Sequence, residues 1–248
     1  MKKIALLCAT LLAFTAVTAN AQVGGGLNLR WQSCLGDGGA TNRTSACTSN
    51  LGNAGIAVGS FQLAADVNST GIELIVDIAT AGTALPAWWT TACRTGFLTC
   101  NATISPAAVN CFDWASGAAA GGLASYNQGN LYGPSSARVL MGFAVPAPGQ
   151  LVPGGAEMFA FNMNISNAKT TGTGNCAGCS TPACLSFNNL KMASGVQYGA
   201  ILNAPTVPGS NYITWQGGAG VSSTLGGGCP AATPTRNSTW SGVKSLYR

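Results

Sequence analysis

The sequence predicts an all-β protein: an antiparallel β-sandwich of the jelly-roll or immunoglobulin-like kind, stapled by disulfides, with long Gly-, Ser- and Asn-rich loops and little helix. Three observations predict this class. Short runs of alternating apolar and polar residues recur at intervals of roughly 10–15 residues, as in sandwich proteins. Glycine accounts for 34 of the 248 residues, which suits many tight turns. Cysteine occurs ten times, as in exported domains held together by disulfides.

Residues 1–21 are typical of a secretory signal peptide. Lys2 and Lys3 precede an apolar run, and a small-x-small cleavage site ends at Ala21. The apolar run is shorter than the ~20 residues that a transmembrane helix needs. We therefore expect an exported protein that is secreted to the extracellular space, held at the cell surface or retained in the periplasm. The mature chain, 22–248, should form a single domain with no membrane span.

Charged residues make up only 7% of the chain, and histidine is absent. The eleven basic residues are scattered rather than clustered, so no nucleic-acid partner is expected. The absence of histidine excludes Ser-His-Asp and Cys-His nucleophile systems and His-ligated zinc or copper. So few charges leave strand edges open to other chains, and self-association or binding to a cell-surface polymer is therefore expected.

The strands of the N-terminal third are expected at 27–31, 56–63 and 72–78. The last is the clearest, because four apolar residues at alternate positions should face the core while the two acidic residues face away. The inward residues are Ile72, Leu74, Val76 and Ile78, and the outward residues are Glu73 and Asp77.

The middle of the chain has weaker patterns. Pro86 should open a single helical turn that ends at Trp89, since proline suits the first helical position. Residues 93–129 are irregular in pattern, with a short Ala-rich helix expected at 118–126. Further strands are expected at 137–145, 197–202 and 211–216. The glycine-rich segment 217–234, near the C-terminus, is expected to be a low-complexity part of the same domain.

The stretch from Gly155 to Met192 has the strongest strand patterns. Alternate apolar residues of a strand at 155–165 should share one face, namely Phe159, Phe161, Met163 and Ile165. A polar loop with three cysteines follows, and a second apolar run occupies 185–192. The stretch is therefore expected to form a hairpin in which a cysteine-stapled loop joins two strands.

Of the ten cysteines, Cys8 lies in the signal segment and nine follow it, so at least one should be free or should pair between chains. The nine are Cys34, Cys47, Cys93, Cys100, Cys111, Cys176, Cys179, Cys184 and Cys229. Proximity suggests that Cys34 pairs with Cys47. It also suggests Cys93 or Cys100 as the partner of Cys111, and one of the three loop cysteines as the partner of Cys229. The C-x-x-C spacing at Cys176 also occurs in redox and zinc motifs, but their usual context is missing, and structural disulfides are expected.

Aromatic side chains in the loops form a candidate carbohydrate site, because the flat apolar faces of sugars stack on aromatic rings. The candidates are Trp88, Trp89, Trp114 and Tyr126. The alternative is that these rings, the Trp pair above all, fill one end of the sandwich.

One turn resembles the front of a calcium-binding EF-hand loop. Asp66, Asn68 and Thr70 occupy alternate positions, and Asp77 falls at the twelfth. No helix pattern flanks the turn, and 72–78 has a strand pattern that would carry Asp77 away. Calcium is therefore the one cofactor that the sequence suggests, against the alternative of a plain polar turn.

The leading functional expectation is a non-enzymatic structural, adhesive or assembly role outside the cell, and a carbohydrate-binding module is the second. A hydrolase with a carboxylate pair is the third. Glu73 and Asp77 lie on one strand face but ~13 Å apart, whereas glycosidase pairs need ~5–9.5 Å, so the pair would have to come from different strands. The acidic residues available are Asp37, Asp66, Glu73, Asp77, Asp113 and Glu157.

Overall fold

The computed structural model describes residues 25–129 and 133–218. Strand accounts for 48% of the described residues and helix for 2%, which confirms the all-β prediction. The expected signal peptide, 1–21, lies outside the described residues, as does the glycine-rich segment beyond Gly218. In chain order the described strands are β1 (Gly26–Trp31), β2 (Asn42–Arg43), β3 (Asn53–Gln62), β4 (Val67–Ser69), β5 (Gly71–Thr80), β6 (Leu98–Asn101), β7 (Phe112–Asp113), β8 (Ala120–Gln128), β9 (Ser136–Ala144), β10 (Gln150–Val152), β11 (Glu157–Ser166), β12 (Ala183–Ser194), β13 (Gln197–Leu202) and β14 (Tyr212–Trp215).

The strands form two large sheets and one small pair. The first sheet has the order β1-β3-β11-β6, with β7 also beside β11. The second sheet has the order β2-β14-β12-β5-β9-β8, with β13 also beside β12, and β4 pairs with β10. Neighbouring strands are antiparallel except for β7 on β11 and β2 on β14.

The inner faces of the two sheets enclose the core. Phe161 of the first sheet meets Phe187 of the second, with ring centres 5.2 Å apart. Position 59 must be glycine in this packing, because a Cβ at Gly59 would overlap the ring of Phe161. The apolar residues expected to face inward along 72–78 are all buried. Because both sheets contribute to one main core, the predicted antiparallel sandwich is confirmed.

The hairpin predicted between Gly155 and Met192 is wrong. β11 pairs with β3, β6 and β7, whereas β12 pairs with β5, β13 and β14, so the two strands lie in opposite sheets. The cysteine-bearing loop therefore crosses from one sheet to the other instead of turning back. Alternation indicates that each segment is a half-buried strand, but it does not specify which strand lies beside it.

A β-bulge changes which residues of β11 face the core. Ala160 is the extra residue between Phe159 and Phe161, so these two rings lie on opposite faces of the first sheet. Phe159 packs in a smaller cluster that includes Val58 and Cys34. The prediction that Phe159 shares the face of Phe161 is therefore wrong, because the bulge interrupts the two-residue period.

The short helix predicted at 118–126 is wrong, because most of this segment belongs to strand β8. β8 pairs with β9 along most of its length. Gly121 has a φ of +145°, far from helical values, and a Cβ there would clash with the carbonyl of Gly142. The helical turn predicted after Pro86 is confirmed as a short 3-10 helix, Ala87–Trp89.

Candidate functional site

Glu157 joins the first sheet to the loop that follows β1. Its carboxylate accepts hydrogen bonds from the backbone N–H groups of Leu35 (3.0 Å) and Gly36 (2.7 Å) and from the hydroxyl of Ser60. Among the described residues, one group of Cys and acidic ligand atoms is close enough to hold a metal, and it consists of Glu157 with Cys34 and Cys111. These two sulfurs form a disulfide, so they offer no thiolate to an ion.

Three further carboxylates fix loops by accepting backbone N–H groups at 2.6–3.1 Å. They are Asp37, Asp66 and Asp113. Asp37 connects the loop after β1 to the loop before β7, which the Cys34–Cys111 disulfide also joins. Each of these carboxylates therefore holds the backbone of a loop, although the Oδ2 atom of Asp37 is buried without a hydrogen-bond partner.

Asp77 is the most buried acidic residue. It points away from the core, as predicted, but its side chain is fully buried rather than solvated. Arg138 on β9 binds both of its oxygens, at 2.7 and 2.8 Å, and the amide of Asn188 donates a third hydrogen bond at 2.7 Å. A buried carboxylate needs an opposite charge and hydrogen-bond donors around it, and Arg138 and Asn188 supply both. Glu73 on the same strand pairs with Lys191 at 3.5 Å.

The structure does not assemble the predicted calcium site. Asp66 accepts the N–H of Gly154, while Thr70 donates its N–H to the carbonyl of Ala193. β5 begins at Gly71 and carries Asp77 seven positions away from Thr70, which is ~23 Å along an extended strand. Asp66, Asn68 and Thr70 therefore lie in a turn that Asp77 does not reach.

The predicted aromatic platform is not exposed. Trp88 and Trp89 are 0% exposed and Trp114 is 1% exposed, so none of these indoles presents a face to a sugar. Trp88 stacks on Trp215 with ring centres 5.2 Å apart. The hydroxyl of Tyr126 donates to the carbonyl of Trp89 at 2.7 Å. The three indoles therefore lie in the main core, with Tyr126 packed against it, as in the alternative that these rings fill the interior of the sandwich.

Arg94 organises this aromatic cluster although no carboxylate is among its partners. Its guanidinium lies 3.9 Å from the ring centre of Trp88. It donates hydrogen bonds to the carbonyls of Trp88 (2.7 Å), Ala168 (2.9 Å) and Ser166. Burial lowers the pKa of this guanidinium to about 10. Arg94 thus joins the helical turn to the segment after β11.

The disulfides connect segments that are distant in sequence. The pairs are Cys34–Cys111, Cys47–Cys179 and Cys93–Cys176, with separations of 77, 132 and 83 residues. The predicted pairing of Cys34 with Cys47, and that of Cys111 with Cys93 or Cys100, is wrong, because proximity along the chain does not indicate proximity in a sandwich. Cys184 is also disulfide-bonded. The pairing predicted for Cys229 lies outside the described residues.

Cys100 is the free cysteine of the described chain. It lies on β6 opposite Met163, on the face that packs against the core, and is only partly exposed. Burial raises the pKa of its thiol to about 12. At neutral pH the group is therefore protonated and is a poor nucleophile for forming a bridge to another chain.

The outer face of the second sheet contains an open groove of about 480 Å³. Its floor consists mainly of small residues, and a Cβ at Gly142 would meet no atom within 4 Å. Tyr198 and the Glu73–Lys191 ion pair form one side, with the Lys191 Nζ atom 5.5 Å from the Tyr198 ring centre. Sequence reasoning missed this groove. The signal for it is that Gly142 and Ala144 alternate with the inward residues of β9, which leaves the outer face of this strand without large side chains.

A second concavity lies next to β13. This slot has a volume of about 250 Å³ and lies between segment 63–67 and residues 199–202 of β13. Every residue that lines it is apolar or glycine. Tyr198 and Ile201 are 53% and 55% exposed, although the protein buries most of its large apolar side chains. The described residues thus include a groove on the outer face of the second sheet and an apolar slot next to β13.

The comparisons with known proteins identify no family. No protein-family model matches the chain, and no curated protein is detectably similar to it in sequence. Within residues 25–129 and 133–218, no helix has the length and apolar character needed to cross a membrane.

Proposed function

We propose that this protein is an exported, non-enzymatic component with a structural, adhesive or assembly role, and that it acts by associating with other copies of itself. The observation that carries the proposal is the outer edge of β13. This edge has no charged residue and exposes Tyr198 and Ile201. Monomeric proteins usually protect such an edge with lysine, proline or a covering segment, because an open edge invites pairing.

The side chains that could carry out acid–base chemistry support a non-enzymatic role. All six acidic residues lie in the described part of the chain, and each accepts a hydrogen bond or forms an ion pair with a neighbour. A general acid or base needs a carboxylate directed at a substrate. The disulfides support export, since such bonds persist in oxidising compartments.

Sedimentation equilibrium of the oxidised protein tests the proposal. The average mass should rise with concentration, because pairing at the edge is reversible. The variant Cys100→Ser should behave in the same way, because its partly buried, protonated thiol is not expected to link the chains. A mass that stays at the monomer value across the concentration series would contradict the proposal. If association disappears in Cys100→Ser, the copies are linked by a disulfide through Cys100 and not by pairing at the edge of β13.

A carbohydrate-binding role is a second candidate, and the groove on the second sheet favours it. Its volume falls in the usual range for ligand sites, and Tyr198 next to the Glu73–Lys191 pair offers an aromatic ring beside hydrogen-bonding groups. The substitution Gly142→Leu places a side chain in open space within the groove, so the fold should tolerate it. If immobilised polysaccharide retains the wild type but not Gly142→Leu, and sedimentation gives both proteins the same mass, the carbohydrate-binding role is supported. If no polysaccharide retains the wild type, this role is ruled out.

A further inference from the structure

β13 has a free edge. On one side it pairs with β12, and within the described residues no other strand pairs with it. Its sequence, Gln197-Tyr198-Gly199-Ala200-Ile201-Leu202, contains neither charge nor proline. Val67 lies against Gly199 in the middle of the strand. The outer backbone groups of β13 nevertheless pair with no other described strand, and no charge or proline protects them.

A bulge concentrates the exposed apolar surface of this strand. Met192 lies opposite Ala200 and Ala193 lies opposite Tyr198, which leaves Gly199 as the extra residue. Without the bulge, Tyr198 and Ile201 would lie on opposite faces, since they are three positions apart. With it, both side chains lie on the outer face of the sheet, and each is more than half exposed.

The slot beside β13 provides space next to this edge. It lies between β13 and segment 63–67, and none of its lining residues carries a charge. An added strand would place its backbone along β13 and could direct alternate side chains into the slot. The edge supplies backbone hydrogen bonds and the slot supplies apolar contact, which are the two requirements for strand addition.

We propose that β13 accepts a strand from a second copy of this chain, so that the second sheet continues across two molecules; this inference rests on the proposed assembly function. A second copy is the occupant that fits, because an uncharged edge gives no basis for selecting a charged partner and is complementary to itself. Antiparallel pairing about a two-fold axis between Gly199 and Ala200 sets Tyr198 of one copy opposite Ile201 of the other. Both copies then use the same surface, as a closed dimer requires.

The substitution Ile201→Lys tests the inference. It places a charge at the centre of the proposed contact, and Ile201 is exposed enough for the monomer to tolerate the change. We expect the association constant to fall by about tenfold or more, as for a residue at the centre of an interface. The matched control is Leu51→Lys, which puts the same charge on another exposed apolar residue, 83% exposed and outside β13. Its association constant should equal that of the wild type.

The outcomes separate this inference from the proposed function. If wild type and Ile201→Lys associate equally strongly, strand addition at β13 is overturned and assembly through another surface stands. If the wild type does not associate, both are overturned. Circular dichroism checks that each variant is folded, and Tyr198→Lys, which changes the other exposed side chain of the edge, serves in place of Ile201→Lys if that variant does not fold.

Discussion

Replacing Arg94 with methionine should lower the free energy of unfolding by about 3–5 kcal/mol, because three carbonyls then lose their hydrogen-bond donor and each buried, unsatisfied acceptor costs about 1–3 kcal/mol. The carbonyls are those of Trp88, Ser166 and Ala168. Methionine retains much of the side-chain length, so the loss measures the hydrogen bonds and the contact with Trp88 rather than a large cavity. Urea denaturation of the oxidised protein gives the value.

Arg94→Lys is the matched control for this prediction. An ammonium group keeps the charge near the Trp88 ring but lacks the planar fork that donates in three directions. The free energy of unfolding of Arg94→Lys should therefore lie between that of the wild type and that of Arg94→Met. A methionine variant as stable as the wild type would show that Arg94 does not hold the helical turn against the segment after β11.

Removing the Cys47–Cys179 disulfide, by changing both residues to alanine, should lower the free energy of unfolding by about 4–5 kcal/mol in the chain-entropy model. Among the three pairs given above, this bond has the longest sequence separation, 132 residues, and therefore constrains the unfolded chain more than the other two. It also fixes the loop whose Cys179 carbonyl accepts the indole N–H of Trp215 at 2.7 Å. Denaturant unfolding followed by tryptophan fluorescence reports the change.

Cys100→Ala is the control for the disulfide prediction, because it also removes sulfur but closes no loop. Cys100→Ala should lower the free energy of unfolding much less than the double variant does. If the double variant and the wild type unfold at the same denaturant concentration, the Cys47–Cys179 bond does not restrain the unfolded chain, and the expected link between loop length and stability fails for this protein.

The faces of regular strands could be predicted from the sequence, and the neighbours of each strand could not. In β5, apolar residues at alternate positions correctly indicate the buried face, because side chains of a strand alternate sides. In β11 the same reasoning fails at Phe159, since a bulge is not visible in the alternation. Nor does alternation show that β11 and β12 lie in opposite sheets.

Contacts between distant segments account for the errors at the candidate sites. Trp88 and Trp89 follow Pro86 in a polar region, which suggests exposed loop aromatics, but Trp215, from the far end of the described chain, covers them. The cysteine pairs depend on the same long-range packing. The scarcity of charge indicates exposed strand edges only in general terms. It does not locate one at Tyr198 and Ile201, because whether a strand lies at an edge depends on the whole sheet.

Amide hydrogen exchange at Gln197–Leu202, measured in dilute and in concentrated samples, tests the proposed strand addition most directly. If a second copy pairs with β13, protection of these amides should rise with concentration, in step with the mass from sedimentation. The amides of β8, at the opposite side of the second sheet, should keep the same protection throughout. A rise in mass with no change in protection along β13 would contradict the account.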